Sequence, residues 1–197
     1  MISEIKAIAI GAGSLEPNKQ EALRYLGVKE SDEMLDSLYE ECLVDVRKAS
    51  EPRGVYIKTE IAVSGDTIDF GFMKVNSKDL AKNLNGCDEA YIFCATLGIG
   101  MDRQFERMRR LSQAKATVFS AVGSAMIECF CDYVNNTLKD VISTKPRFSC
   151  GYGDFCIEHQ ADILKILEAA KRLGVCLTDS YMMVPVKTVT AIIGIRR

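Results

Sequence analysis

The sequence predicts an α+β domain in which helices pack around a twisted, mainly antiparallel sheet. Two observations favour this class. Segments with apolar residues at helical spacing alternate with β-branched segments at strand spacing, and no repeat or linker divides the chain. With 48% hydrophobic and 26% charged residues, the composition is that of an ordinary globular protein. We therefore expect residues 1–197 to form a single domain with a sizeable core.

The N-terminal part predicts one short strand followed by two helices. Residues 3–10 alternate as a strand, and a helix over 18–26 begins after Pro17. Ser31 is expected to cap the second helix. An apolar stripe at helical spacing identifies its buried face, formed by Met34, Leu35, Leu38, Cys42, Leu43 and Val46.

The middle of the chain predicts strands with one short helix between them. Residues 55–63 and 67–75 are expected to pair as an antiparallel hairpin through the turn Gly65-Asp66. A short helix follows over 77–84. Residues 89–97 are almost wholly apolar, which predicts a strand that is buried on both faces.

The second half predicts three helices and a last strand. One helix begins at Met101, a long one covers 114–140, and an amphipathic one lies within 154–173. Gly123 in the middle of the long helix costs about 1 kcal/mol relative to alanine, so it indicates close packing there. The β-branched residues 186–195 predict the final strand.

Glycines and acids mark three places where a ligand could bind. Gly11-Ala12-Gly13 is not a dinucleotide fingerprint, because Glu16 stands where its third glycine would be. The junction at residues 96–100 leads from a strand into a helix, where an anion can bind, or is simply a tight connection. Glu128 and Asp132, one helical turn apart, are either site acids or the exposed edge of a core helix.

A glycine-containing loop joins the long helix to the next one. Arg147, Ser149 and Tyr152 place a fixed charge, a hydroxyl group and an aromatic ring within a few residues. Gly151 and Gly153 allow unusual backbone dihedrals or the close approach of a ligand. Binding groups usually lie on such loops; the alternative is a turn with a structural arginine.

Charge and hydropathy exclude several classes of function. A net charge of −2 argues against nonspecific nucleic-acid binding, which needs a basic face. No apolar run approaches the roughly 20 residues that span a bilayer, and residues 1–7 lack the features of a signal peptide. A cytoplasmic protein is the expectation.

The eight cysteines are expected to be free, mostly buried thiols in a reducing compartment. They form no C-x-x-C pair, and His159 is the single histidine, so a zinc-type ligand set is lacking. Cys150 and Cys156 flank the glycine loop. A redox or metal role for these two therefore stays open as an alternative.

Three segments resemble the activation domain of cobalamin-dependent methionine synthase. The match covers about residues 115–195, and the first hundred residues match loosely. The segments are Arg147-x-x-x-Gly151-Tyr152; Leu177-Thr178-Asp179-Ser180-Tyr181-Met182-Met183-x-Pro185; and Ala125-x-x-Glu128-x-Phe130-x-Asp132-Tyr133. Residues 21–27 are also similar to small, free-standing relatives of that domain.

This resemblance implies a protein that binds S-adenosylmethionine. In the family, cobalamin that has oxidised to cob(II)alamin is reduced by a donor such as flavodoxin and remethylated from S-adenosylmethionine. Cobalamin-binding and homocysteine-binding modules are absent from this sequence. The implied function is therefore an accessory one in methionine biosynthesis, in trans on methionine synthase or another corrinoid protein, with a flavodoxin or ferredoxin-type electron donor. The alternative is a non-catalytic docking partner of a corrinoid protein that has lost ligand binding.

The resemblance also implies which residues bind the ligand. Arg147 corresponds to the residue that engages the carboxylate, and the backbone at Ser149 and Gly151 contacts the adenosine or methionine portion. Tyr152 lines the pocket, and Glu128 binds the ribose hydroxyls or the amino group. No residue is expected to act as a catalytic acid or base, because the sulfonium is already a good leaving group.

The sequence departs from the family at three points. Phe148 and Cys150 replace the usual prolines of the loop, which predicts a less rigid loop. No counterpart of the family's N-terminal acidic ligand contact is recognisable. The larger domain also continues past the position of Arg197 and contributes another aromatic residue, so a more open pocket is expected here.

Overall fold

The computed structural model describes residues 2–138 and 144–196. The strands of the main sheet are β1 (Lys6–Ala9), β2 (Arg53–Glu60), β6 (Glu89–Thr96) and β9 (Thr188–Ile195). Smaller strands are β3 (Ala62–Ser64), β4 (Thr67–Asp69), β5 (Lys74–Asn76), β7 (Cys176–Leu177) and β8 (Met183–Val184). The helices are α1 (Lys19–Leu26), α2 (Glu33–Ala49), α3 (Lys78–Asn83), α4 (Gly100–Leu111), α5 (Gln113–Leu138), α6 (Gln160–Ile166) and α7 (Ala169–Leu173).

A four-stranded antiparallel sheet with the order β1-β2-β6-β9 forms the centre of the fold. Strand β6 lies inside it, and its side chains alternate between two cores. Phe93 packs with α1, α2, α4 and α5 on one face, whereas Ile92 packs with α3, α6 and α7 on the other. The predicted burial of this strand on both faces is confirmed, and so is the α+β class with its mainly antiparallel sheet.

Helix α5 fills the core on the first of these faces. It packs against α1, α2 and α4 and lies over β6 and β9. By length and composition α5 could cross a membrane, but 61% of its most apolar window is buried inside the protein, as in a core helix. A Cβ atom on Gly123 would lie 2.6 Å from Cε of Met101, so the close packing predicted at this glycine is confirmed.

The predicted hairpin of 55–63 with 67–75 is wrong. Strand β2 pairs instead with β1 and, over its whole length of eight residues, with β6. The turn at Gly65-Asp66 exists, but it joins only β3 to β4, which pair through three residues. The β2–β6 ladder is longer and buried, and it pairs more backbone N–H and C=O groups than a local hairpin would. This pairing therefore forms in place of the predicted hairpin.

Two boundaries also differ from the prediction. Asp32, not Ser31, caps α2, because its carboxylate accepts a hydrogen bond from the amide of Leu35 at 2.8 Å. The helix predicted within 154–173 is divided into α6 and α7 at Glu168, whose φ of +48° is left-handed. Residues 139–140, the end that the sequence predicts for the long helix, lie outside the described residues. The single domain over 1–197 stays a prediction.

Replacing Gly100 by alanine should destabilise the protein. Its Cβ atom would collide with the backbone carbonyl oxygen of Ala49, and backbone cannot move as easily as a flexible side chain. Overpacking costs about 1–3 kcal/mol, which outweighs the roughly 1 kcal/mol that alanine gains over glycine in a helix. Urea denaturation measures the loss, and Gly13→Ala is the control because no atom lies within 4 Å of its added Cβ. Equal stability of the two variants would contradict this packing argument.

Candidate ligand-binding site

Arg147 lies on a segment that extends the sheet beside β9. Thr144 and Phe148 form isolated antiparallel bridges with Ile195 and Ile192. The amides of Phe148 and Ile192 each donate to the carbonyl of the other residue at 2.9 Å. Arg147 is therefore held on a hydrogen-bonded backbone immediately before the glycine loop.

The guanidinium group of Arg147 joins this segment to α5. Its Nη1 donates to Oδ1 of Asp132 at 2.7 Å, and its Nη2 donates to Oε2 of Glu128 at 2.9 Å. The two acids are one helical turn apart, so one planar fork reaches both of them. Side-chain exposure is 20% for Arg147, 34% for Glu128 and 67% for Asp132, and Arg147 is the most shielded of the three.

A hollow of about 350 Å³ opens beside this ion-pair cluster. It lies between α1, α5 and the segment that carries Arg147. Four carboxylates and two guanidinium groups line it, which gives the hollow a net charge of −2. Its lining residues are Glu16, Asn18, Glu21, Arg24, Ala125, Glu128, Cys129, Asp132 and Arg147.

The N-terminal acids of this hollow were not identified from the sequence. Glu21 is held by Arg24, whose Nε and Nη2 donate to Oε2 of Glu21 at 3.0 and 2.6 Å. Glu16 accepts a hydrogen bond from Nη2 of Arg47 at 2.8 Å. The sequence feature that could have identified Glu21 is the apolar pair Ala22 and Leu23, because these residues define the face of α1 that packs against the core. Their neighbour Glu21 then lies at the edge of that contact.

Asp154 fastens the glycine loop to the start of α3. Its carboxylate accepts hydrogen bonds from the hydroxyl of Ser77 and from the amides of Lys78 and Asp79, at 2.8 and 3.2 Å for the amides. The hydrogen bond from Ser77, followed by that from Lys78, lowers the pKa of Asp154. At Gly153 the φ of +53° is left-handed, and a Cβ atom would collide with the side chain of Asp79.

The predicted site residues do not all lie in one hollow. Arg147 and Glu128 line the acidic hollow, but Tyr152 lines a second one of about 480 Å³. Tyr152 is 59% exposed and meets the ring of Phe148 edge-on, with the ring centres 6.2 Å apart. Ser149 is half-buried and Gly151, with a φ of +87°, is exposed. Their roles as ligand contacts stay predictions.

Tyr25 on α1 lies close to charged groups of the acidic hollow. Burial raises the pKa of its phenol, and the negative charge of Glu128 raises it further, with a smaller contribution from Tyr152. Arg24 lies over the ring of Tyr25, 5.0 Å from its centre. Tyr25 is therefore affected by the charges of Glu128 and Arg24, which line the acidic hollow, although sequence analysis did not select it.

The cysteines beside the loop differ in their surroundings. Cys150 is buried, and this burial raises the pKa of its thiol to about 12. Such a thiol is a poor nucleophile at neutral pH. Cys156 is exposed. Within residues 2–138 and 144–196, no group of three or more histidine, cysteine or acidic residues could hold a metal ion.

The structure is thus an α+β domain with an acidic hollow beside the fork of Arg147. Its fold is that of the MetH reactivation domain. A crystal structure of that domain bound to AdoHcy matches 97% of this chain and 78% of its own chain, with a TM-score of 0.76 and 15% sequence identity. No protein-family model matches the chain, and neither does any curated protein. The structural match confirms the resemblance to the activation domain at the level of fold.

Replacing Asp154 by asparagine should weaken the attachment of the glycine loop and lower the stability of the protein. The folded-state pKa of Asp154 is depressed, so its stabilising effect is present above the unfolded value of about 3.9 and is lost as the pH falls below it. We expect Asp154→Asn to destabilise the protein at pH 7 and to lose less stability than the wild type upon acidification. Urea denaturation at pH 7 and at a pH below the unfolded value of about 3.9 tests this. Asp179→Asn, at an exposed position, is the control. Identical pH profiles for all three proteins would contradict it.

Proposed function

We propose that this protein binds S-adenosylmethionine in the hollow between α1, α5 and the Arg147 segment. It would present the methyl group for remethylation of cob(II)alamin on methionine synthase or another corrinoid protein that acts in trans. A flavodoxin or ferredoxin-type donor would supply the electron, in the cytoplasm. The observation that carries the proposal is the Arg147 fork at an acidic hollow, in a fold whose solved neighbour is described as bound to AdoHcy.

Arg147 is suited to hold the carboxylate of the ligand. Glu128 and Asp132 each accept one of its hydrogen bonds, and a guanidinium group has five N–H donors. The remaining donors can bind a ligand carboxylate in a charge-assisted pair. The two acids also fix the orientation of the fork before the ligand arrives, so less conformational entropy is lost on binding.

The charge of the hollow favours the rest of the ligand. S-adenosylmethionine carries a sulfonium and an ammonium group, and both are cations. Glu16, Glu21 and Glu128 line the hollow and provide negative charge for them. No proton transfer by the protein is required, because S-adenosylmethionine itself supplies an activated methyl group. The task of these residues is to bind and orient it.

The glycine loop would complete the site on its other side. Tyr152 offers an exposed aromatic face against which the adenine base could stack. The positive φ of Gly151 turns the backbone near Ser149, so that main-chain groups can approach the ligand closely. Asp154 keeps this loop in place through its hydrogen bonds to α3.

The second candidate function is a docking partner of a corrinoid protein that no longer binds a small molecule. One observation favours it: Glu128 and Asp132 already occupy the fork of Arg147. In that case the arginine would serve only to connect α5 to the sheet. Ligand binding separates the two candidates, because only the first requires it.

Titration calorimetry with S-adenosylmethionine should show binding by the wild type and a sharp loss in Arg147→Ala. Removing a charge-assisted fork costs about 1.5–3 kcal/mol, which weakens binding by roughly tenfold to a hundredfold. Arg147→Lys keeps the charge without the fork, and we expect an intermediate loss. Arg172→Ala is the control, because Arg172 forms a comparable surface pair with Glu168.

The variants must first be shown to fold, by circular dichroism and thermal melting. A folded wild type that does not bind S-adenosylmethionine would contradict the proposal and favour the docking partner. So would equal affinities of the wild type and a folded Arg147→Ala. If Arg147→Ala does not fold, Arg147→Lys supplies the same comparison.

The acidic hollow should bind S-adenosylmethionine more tightly than S-adenosylhomocysteine, which lacks the sulfonium charge. A preference of about fivefold to tenfold at low salt follows from roughly 1 kcal/mol of charge interaction, and it should shrink at high ionic strength. Glu128→Gln should reduce the preference for S-adenosylmethionine. Glu168→Gln is the control and should not, because Glu168 precedes α7 and does not line the acidic hollow. Calorimetry at two salt concentrations measures this. A preference that is independent of salt and of Glu128 would refute the electrostatic role.

A further inference from the structure

A third, more enclosed cavity lies beside Ser120 of α5. It has a volume of about 240 Å³ and is bounded by α4, α5 and the chain that enters β9. Its walls are largely apolar, from Met101, Phe105 and Phe119. The full lining is Met101, Asp102, Phe105, Glu106, Phe119, Ser120, Val186 and Lys187. None of these residues lines the acidic hollow at Arg147.

Lys187 gives this largely apolar cavity a cation that is held by hydroxyl groups. Its Nζ donates to the hydroxyl oxygens of Ser124 and Ser120 at 2.7 and 3.2 Å. The hydroxyl of Ser124 donates in turn to the carbonyl of Ser120 at 3.1 Å, which leaves its oxygen to accept from Lys187. Within residues 2–138 and 144–196, Lys187 forms no ion pair, although the negative charge of Asp102 in the same cavity wall acts to raise its pKa. An ammonium has three donors, so one is available to a ligand.

The two acids of the cavity are already engaged elsewhere. Both carboxylate oxygens of Asp102 accept from the amide of Val186, at 3.1 and 3.3 Å, and Asp102 lies in the first turn of α4. Glu106 forms an ion pair with Arg109 at 2.9 Å. Among the described residues, Lys187 and Asp102 are therefore the charged groups of the cavity wall without an ion pair. The amide of Val186 already donates to Asp102, whereas the ammonium group of Lys187 keeps one donor for a ligand.

Gly123 makes room for this lysine. A Cβ atom at position 123 would lie 3.2 Å from Cε of Lys187 and 2.6 Å from Cε of Met101. Glycine is unfavourable in the middle of a helix, so the helix is weakened at the point where the lysine stem crosses it. The arrangement holds the ammonium against the two serines and beside the cavity.

We propose that this cavity binds a small apolar carboxylate whose anionic group pairs with Lys187. A cavity of 150 Å³ holds benzene, so this one fits a molecule of about ten non-hydrogen atoms. The apolar body would contact Met101, Phe105 and Phe119, and the carboxylate would occupy the free donor of the ammonium. Burial lowers the pKa of Lys187, although the charge of Asp102 opposes this. An anion in contact would offset that burial cost.

Benzoate is the probe that tests the proposal, and benzamide is its uncharged isostere. In calorimetric or ligand-observed NMR titrations, benzoate should bind the wild type at least about tenfold more tightly than benzamide, as expected for a hydrogen bond to a charged group. Lys187→Met keeps most of the stem and removes the charge. It should weaken benzoate binding about tenfold or more and leave benzamide nearly unchanged. Lys165→Met, at an exposed lysine of α6, is the matched control and should bind as the wild type does.

Two further variants test the placement of the site. Gly123→Ala should weaken benzoate binding because its methyl group displaces the lysine stem, and a folded Arg147→Lys should bind benzoate normally. Equal binding of benzoate and benzamide, unchanged benzoate binding in Lys187→Met and Lys187→Gln, or no binding of benzoate would each overturn the proposal. Preference for benzylamine would overturn it in favour of a cation site at Asp102. Competition between S-adenosylmethionine and benzoate would also overturn the proposal, because benzoate would then bind in the acidic hollow and not beside Lys187.

Discussion

The burial of α5 is the constraint on which the rest of the structure depends. Thirteen of its 26 residues are buried, and α1, α2 and α4 pack around it over the sheet. One line of polar side chains, from Ser120 through Ser124 and Glu128 to Asp132, stays outside this packing. Because polar groups next to a core must be hydrogen-bonded, the chain has to supply partners along this line. Those partners are the two cations of the candidate sites.

Both cations come from the chain beside β9. Lys187 immediately precedes that strand and reaches Ser120 and Ser124. Arg147 lies on the segment that bridges to β9 and reaches Glu128 and Asp132. One helical turn of about 5.4 Å separates Ser124 from Glu128. Along the same contact between α5 and the chain beside β9, Arg147 donates to two carboxylates. One helical turn away, Lys187 donates only to hydroxyl groups.

Sequence patterns predicted the parts of this arrangement that depend on local periodicity. The burial of β6, the extent of α5 and the alignment of Glu128 with Asp132 follow from strand and helix spacing. The β2–β6 pairing and the ion pairs of Arg147 depend on contacts between residues far apart in the chain, which spacing does not encode. Glu21 and Tyr25 were missed for the same reason. Their place in the site depends on how α1 docks against α5, and Lys187 likewise gains its surroundings only when β9 meets α5.

The contrast between the two cations explains why one fold can bear two different kinds of site. At Arg147 the carboxylates outnumber the guanidinium groups, so the proposed ligand would place its cationic groups beside the acids and its carboxylate on the arginine. At Lys187 the lining also contains Asp102 and Glu106, so the proposed anion would pair with the ammonium group itself, which the serines hold without neutralising its charge. A single change from Ser124 to an acid would place a carboxylate against Lys187 and remove that pairing. The charge of the residues on one face of α5 would thus determine which of the two proposed ligands binds at each end.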